Sequence, residues 1–232
     1  MLLDSRKKVS VVLTSGSLRD PNQRKEIFLK TIQSFLQFNT CPIEKFIITE
    51  DSPCLVSLDH IVALLTKNPL IKDIALINDG KNRGQVYRID QGYSLVESEF
   101  IFRCEEDWEF VRSGFMEASL NVLNDQSVFS VHLHGYHGSV IDAPHLNFPN
   151  PVEPFMSLNK TEYNASGHKF KKINKSWNSN FVGFSFNPAL KRLKDYQALP
   201  SYTSLIQETD PQYLRNSRTC YFNNNKRNLN TK

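Results

Sequence analysis

At 232 residues, 40% of them hydrophobic and 22% charged, the chain can bury one substantial core and has the balance of an ordinary globular protein, which excludes a disordered or fibrous one. A net charge of +4 is too small for a nucleic-acid coat, and the excess sits diffusely in Lys169-Phe170-Lys171-Lys172, Lys175 and Lys226-Arg227, compatible with a phosphate-bearing ligand and not with nucleic acid. The segment Met1 to Lys8 acquires charge too early to hold the apolar core of a signal peptide, and no later run is long enough to span a membrane, so a cytoplasmic location is expected.

Val9-Ser10-Val11-Val12-Leu13-Thr14 is a β-branched apolar run stopped by Ser15-Gly16-Ser17, which predicts a buried strand and a loop. From Arg24 to Phe38 the residues Ile27, Phe28, Ile32, Phe35 and Leu36 fall at helical spacing. Phe46-Ile47-Ile48-Thr49 is the second strand and ends in Glu50-Asp51-Ser52-Pro53. A helix from Leu58 to Thr66 follows, then Ile74-Ala75-Leu76-Ile77, a third strand ending in Asn78-Asp79-Gly80. Gly84 to Val96 is the third helical pattern, and it delivers the chain to a fourth strand, Phe100 to Cys104, and to Glu105-Glu106-Asp107.

Beyond the acids, Ser113 to Leu123 reads as a helix and Val128 to His132 as a strand. Gly135 to Ser176 is rich in Pro, Asn, His, Gly and Lys with little periodicity, and is expected to form irregular functional loops. A strand is predicted at Phe181 to Pro188, an amphipathic helix near Ala189 to Tyr196, and a last helix through Leu214; the polar run 223–232 is expected to be a mobile tail. Alternating strands and helices predict an α/β fold, a mostly parallel central sheet flanked by helices with right-handed crossovers. Such sheets bind ligands at the carboxyl ends of their strands, where Thr14-Ser15, Glu50-Asp51, Asn78-Asp79 and Glu105-Glu106-Asp107 all fall.

Three adjacent carboxylates repel one another, and Trp108 and Phe110 continue the apolar character directly after them. Acids at the edge of a core call for a cation, and hard oxygen ligands suit Mg2+ or Mn2+ held by one or two carboxylates, with water and a substrate phosphate completing the shell. Asp107 is the best single ligand, Glu106 being the acid that can turn into the sheet. Taken alone, the same run would more often be a solvated turn. Lys81 and Arg83, in the loop after the third strand, are either solvated or placed to complement a diphosphate.

The four cysteines, Cys41, Cys54, Cys104 and Cys220, show neither metal-site nor disulfide-framework spacing and read as reduced thiols. The acceptor patterns Asn159-Lys160-Thr161, Asn164-Ala165-Ser166 and Asn174-Lys175-Ser176 are expected to be chance matches in an Asn-rich sequence. His132, His134 and His137 form an HxHxxH spacing with no fourth ligand, and polar loop residues or acceptor contacts explain them better than zinc. Tyr136, Phe155 and Trp177 can stack on sugar rings, although core packing is the commoner role of any one aromatic.

In order, Val9 to Thr14, Ile47-Ile48-Thr49-Glu50-Asp51-Ser52, Asn82-Arg83-Gly84-Gln85, Phe100 to Trp108, Phe184-Ser185-Phe186-Asn187-Pro188 and Gln207-Glu208-Thr209-Asp210 resemble a family 2-type glycosyltransferase of the GT-A fold, over roughly Val9 to Tyr221. The resemblance implies a single Rossmann-like domain, with a nucleotide-sugar half at about 8–110 and an acceptor half at about 111–222. It implies a UDP- or GDP-type donor and a carbohydrate acceptor, with Glu105 and Asp107 on Mn2+ or Mg2+ and the diphosphate, and Glu106 reaching the donor ribose or sugar. Glu50-Asp51 would bind the nucleoside, with Thr14 and Ser15 bordering base and ribose. Glu208 or Asp210 would be the base of an inverting transfer, each competing with a role as a helix N-terminal acid. The sequence departs from the family's DxD motif in having Glu at its first and second positions.

Two rival functions use the same sheet. A nucleotidyltransferase needs a Gly- and Arg-rich loop after the first strand, and Thr14 to Pro21 holds only Gly16 and Arg19. A non-catalytic nucleotide- or carbohydrate-binding module is compatible with the Glu substitutions in the acidic run.

Overall fold

The computed structural model describes residues 7–16, 21–51, 58–133, 162–165, 168–171 and 188–204. The strands and helices follow in the order β1 (Val9–Ser15), α1 (Pro21–Phe38), β2 (Ile43–Glu50), α2 (Asp59–Thr66), β3 (Ile74–Asn78), α3 (Gln85–Tyr93), β4 (Phe100–Glu105), α4 (Phe115–Val122), β5 (Ser130–His132), β6 (Glu162–Ala165), β7 (His168–Lys171), β8 (Ala189–Arg192) and α5 (Leu193–Gln197). Six strands form one sheet in the order β3-β2-β1-β4-β8-β5, and β6 and β7 form a separate hairpin. β3, β2, β1 and β4 run parallel, and β8 is antiparallel to both of its neighbours. This is the expected mostly parallel α/β sheet.

Alternation along each strand divides the core into two faces. Val9, Val11 and Leu13 of β1, Phe46 and Ile48 of β2, and Phe100 and Phe102 of β4 pack with Phe28, Ile32 and Phe35 of α1, Ile61 and Leu65 of α2, and Phe115, Met116 and Leu120 of α4. At its centre the Phe35 ring meets those of Phe46, Phe110 and Phe115 at 5.5, 5.4 and 6.1 Å. Val12, Ile47 and Ile101 face the other way, against Val86, Ile89 and Tyr93 of α3 and Tyr202. Strands covered on both faces need the continuous apolar runs seen in the sequence.

The strand order explains where helices lie. From β1 to β2 to β3 the chain moves one way, and right-handed crossovers put α1 and α2 on one face; from β3 it returns past β1 to β4, and the same handedness puts α3 on the other. The reversal leaves a crevice between the carboxyl ends of β1 and β4, the position at which open α/β sheets take ligands.

Two expectations are corrected. Ala189 to Arg192 is the strand β8, not the start of a helix, and only Leu193–Gln197 is helical. Four residues are too few for period to distinguish helix from strand, and the slot between β4 and β5 decides: Ala189 pairs with Arg103 and Leu190 with Phe102. All four residues of β8 are buried, and Arg192 donates to the Leu123 and Val128 carbonyls and to Asp195. The region read as irregular contains the β6–β7 hairpin, in which Glu162 is paired with Lys171 and Tyr163 with Phe170. The strand predicted at Phe181, the helix through Leu214 and the tail lie outside the described residues, apart from Pro188.

Candidate functional site

The carboxyl ends of β1, β2 and β4 are tied together by main-chain and side-chain hydrogen bonds. The Asp51 amide donates to the Ser15 carbonyl (2.7 Å), joining β2 to β1, and the Gly16 amide donates to Glu106 Oε1 (3.3 Å) across the β1/β4 crevice. Asp51 accepts the amides of Arg83 (2.6 Å) and Gly84 (2.9 Å) and Arg88 Nε (3.2 Å), so it fixes the entry to α3. Gly84 has φ +91°, a conformation that suits glycine, which lets both successive amides turn toward one carboxylate.

Glu50 is fully buried and paired with Arg24, whose Nη2 also donates to Ser15 Oγ (2.6 Å). Arg88 is fully buried as well, and reaches Asp79, the Lys81 carbonyl (2.6 Å) and Gln91 (2.8 Å) besides Asp51. Thr14 is buried, and its Oγ1 accepts Arg103 Nη2 at 3.2 Å. The loop after β3 is more open. Asn78 caps its own turn at the Gly80 amide (3.3 Å), and Lys81 is exposed. The Arg83 guanidinium pairs with Asp79 (2.9 Å) and lies 5.2 Å from the centre of the Tyr87 ring.

The three consecutive acids occupy three environments. Glu105 is half-buried and accepts Arg103 (3.0 Å), Trp108 Nε1 (3.3 Å) and Gln85. Glu106 is 8% exposed, its carbonyl accepting Thr31 Oγ1 of α1 (2.5 Å); Ser34, one turn on, accepts the Phe110 amide (3.1 Å), so α1 sets the shape of the acidic turn. Asp107 is exposed. Burial raises the Glu106 pKa, the Gly16 amide draws it back, and the neighbouring Asp107 adds repulsion. Burial likewise raises Asp51 against its three donors. Among the described residues no three His, Cys, Asp or Glu side chains form a metal cluster. The expected donor pair is the exposed Asp107 and the half-buried Glu105, whose oxygens also accept Arg103, Trp108 and Gln85, and so sparse a set fits a Mg2+ or Mn2+ that takes most of its ligands from phosphate and water, and not a cage made wholly of protein.

Glu208 and Asp210 lie outside the described residues, as do Ser52, Pro53, His134, Tyr136, His137, Phe155 and Trp177. His132 lies on β5 with Nε2 2.9 Å from Ser130 Oγ, and burial beside Lys191 and Arg103 lowers its pKa to about 4, so the ring is neutral near pH 7. Cys41 and Cys104 are free and buried, and burial pushes the Cys41 thiol up to about 12. Cys54 and Cys220 are outside the described residues. A cavity of about 320 Å³ between Ser10, Lys45, Lys72 and Ser98 sits at the opposite, amino-terminal edge of the sheet, away from these acids.

Sequence reasoning missed Arg24, Gln85, Arg88 and Arg103, which hold the acids. A charged residue inside the apolar run Phe100 to Cys104 was the available signal, since a buried cation needs a partner. Arg88, on a helical pattern, gave none.

Among the described residues no helix is long and apolar enough to cross a membrane. The sequence matches no protein-family model and no curated protein. The fold is similar to that of solved structures of S. aureus TarS: residues 1–349 superpose with a TM-score of 0.53 at 12% identity, covering 84% of this chain and 51% of that one. The same protein in complex with UDP gives 0.52 at 12% identity over 82% and 48%, and in complex with UDP-GlcNAc 0.51 at 10% over 82% and 47%. This chain therefore spans about half the length of the structures it resembles.

Proposed function

We propose that this chain is an inverting glycosyltransferase that moves a sugar from a UDP- or GDP-type donor to a carbohydrate hydroxyl. The observation carrying this reading is the clustering of Glu50, Asp51, Glu105 and Glu106 at the carboxyl ends of β2 and β4, on either side of β1, with Glu106 reaching Gly16 across the β1/β4 crevice where the sheet order reverses and a nucleotide would lie. The fold shared with TarS, a protein solved with UDP and UDP-GlcNAc, supports a uridine nucleotide as the first probe.

Thr14, Ser15, Glu50 and Asp51 form the nucleoside side. Glu50 and Asp51 are committed to Arg24, Arg88 and the α3 entrance, so their part is to shape the wall against which base and ribose rest, while Asn78, Lys81 and Arg83 line its open side. Asp107, with Glu105 as the second carboxylate, would hold Mn2+ or Mg2+. Glu105 turns toward the same edge with its oxygens on Arg103, Gln85 and Trp108, and Glu106 closes the crevice floor at Gly16. When bound, the cation neutralises the charge that develops on the leaving nucleoside diphosphate. Glu208 or Asp210 accepts the proton of the acceptor hydroxyl as that oxygen attacks the anomeric carbon.

Calorimetry with UDP, UDP-GlcNAc and GDP-mannose, each with and without Mn2+, tests the reading. Metal-dependent binding of at least one is expected, and binding by none would sink it. Asp107→Ala should weaken metal-dependent donor binding by about tenfold or more without unfolding the chain, and an unchanged affinity removes the metal assignment. Glu208→Gln and Asp210→Asn should leave donor binding intact, the true base losing about 100-fold or more in transfer rate. Nucleotide binding with no diphosphate release, even with acceptors supplied, would favour the binding module.

A further inference from the structure

α3 is bound at both ends. At its amino terminus the Gly84 amide and the Arg88 guanidinium hold Asp51, at the nucleoside wall. Two residues beyond Arg88, the Asp90 carboxylate accepts four hydrogen bonds from a segment more than a hundred residues later in the chain: Tyr196 OH at 2.9 Å, the Tyr202 amide at 3.1 Å, and the Thr203 amide and Oγ1 at 2.7 and 2.6 Å. Beside it Tyr93, also on α3, packs edge-on against Tyr196 and Tyr202, with ring centres 4.7 and 6.0 Å away. Tyr202 in turn accepts Lys191 Nζ at 3.0 Å, which joins the turn to β8.

A carboxylate that collects two consecutive backbone amides and a hydroxyl acts as a cap for the short turn at Tyr202 to Ser204. Thr203 is five residues before Glu208, a chain length that reaches at most about 18 Å. One helix of nine residues thus joins the nucleoside wall to the anchor from which Gln207-Glu208-Thr209-Asp210 departs.

We propose that Asp90 is a positioning residue: through α3 it couples occupation of the nucleotide site to the anchoring of the turn that leads to the acidic motif. This rests on the nucleotide-sugar reading above. Asp90 acts through its bonds to Tyr196 and to the Tyr202–Ser204 turn.

Hydrogen exchange of the full chain, with UDP and Mn2+ as the probe, tests the coupling. In the unsubstituted protein UDP should slow exchange at the Tyr202 and Thr203 amides about tenfold, a typical coupling between sites. The Leu123 amide, which closes α4 on Ser119, should not respond, which separates local coupling from general stabilisation. In Asp90→Asn, which keeps one oxygen and turns a donor toward one of the two amides, exchange of the pair should be faster and indifferent to UDP, while calorimetry gives a UDP affinity within about twofold of normal, because the closed turn still predominates. Thr203→Val removes one of the four bonds and should give an intermediate response, which keeps the test open if the Asn variant fails to fold. Equal UDP protection in Asp90→Asn and the unsubstituted protein overturns the proposal, as does UDP that binds without slowing Tyr202 and Thr203. If no nucleotide binds at all, the nucleotide-sugar reading has failed, and this coupling with it.

Discussion

Glu106 and Lys191 are costly residues for this fold, and each makes stability depend on pH in a definite direction. Burial raises the Glu106 carboxyl, so the folded state holds its proton more tightly than the unfolded state does. Its contribution is full below the unfolded value near 4.5 and is lost as pH rises through the raised folded value. Glu106→Gln keeps an oxygen for the Gly16 amide and removes the charge. It should therefore stabilise the protein by about 1 kcal/mol at pH 7 and by less at pH 4.5, as read from urea unfolding. Lys191 runs the other way: burial, with Arg103 beside it, lowers its pKa from 10.5 to about 7. Between those values the unfolded chain carries more protons, so stability rises with pH by up to about 1.4 kcal/mol per unit. Lys191→Met should flatten that slope between pH 7 and 9, below the range in which tyrosines ionise. Such residues mark the limit of legibility. Glu105, Glu106 and Asp107 stood out as text, but whether each faces solvent, crevice or arginine depends on α1 through Thr31 and on α3 through Gln85, contacts that no local pattern encodes.

At the scale of the element, α3 approaches the sheet more closely than a side chain would allow. A Cβ at Gly92 would lie 2.5 Å from Val12 Cγ1 and 3.1 Å from Thr49 Cγ2. Alanine normally gains up to about 1 kcal/mol over glycine inside a helix, whereas overpacking a tight contact costs about 1–3 kcal/mol, so the clash should win. Gly92→Ala is expected to destabilise by about 1–2 kcal/mol in chemical unfolding, and a smaller loss on adding it to Val12→Ala would identify the contact responsible. The first four strands and the helices between them were legible because each carries a long apolar run or a sustained 3.6-residue period. β8 was not, because Ala189-Leu190-Lys191-Arg192 has both a short span and two charges. Its strand state comes from Phe102 and Ile101 on one side and Val131 and Ser130 on the other.

For the whole molecule, the α/β class followed from the order of elements, and the acids at the strand ends followed from their position in that order. What the text did not supply is the arginine scaffold that makes those acids compatible with burial, since Arg24, Arg88 and Arg103 reach their partners across the fold. The same topology governs how the molecule is made. β8 lies between β4 and β5 in the sheet, yet it begins at Ala189, long after β5 has ended at His132. A chain emerging from the ribosome can assemble β3, β2, β1 and β4 early, but the flank of β4 then waits with open amide and carbonyl groups until the late strand arrives. That interval is when an edge can recruit a neighbouring nascent chain, so crowded synthesis should favour aggregation of chains stopped before β8 over those that extend past Arg192.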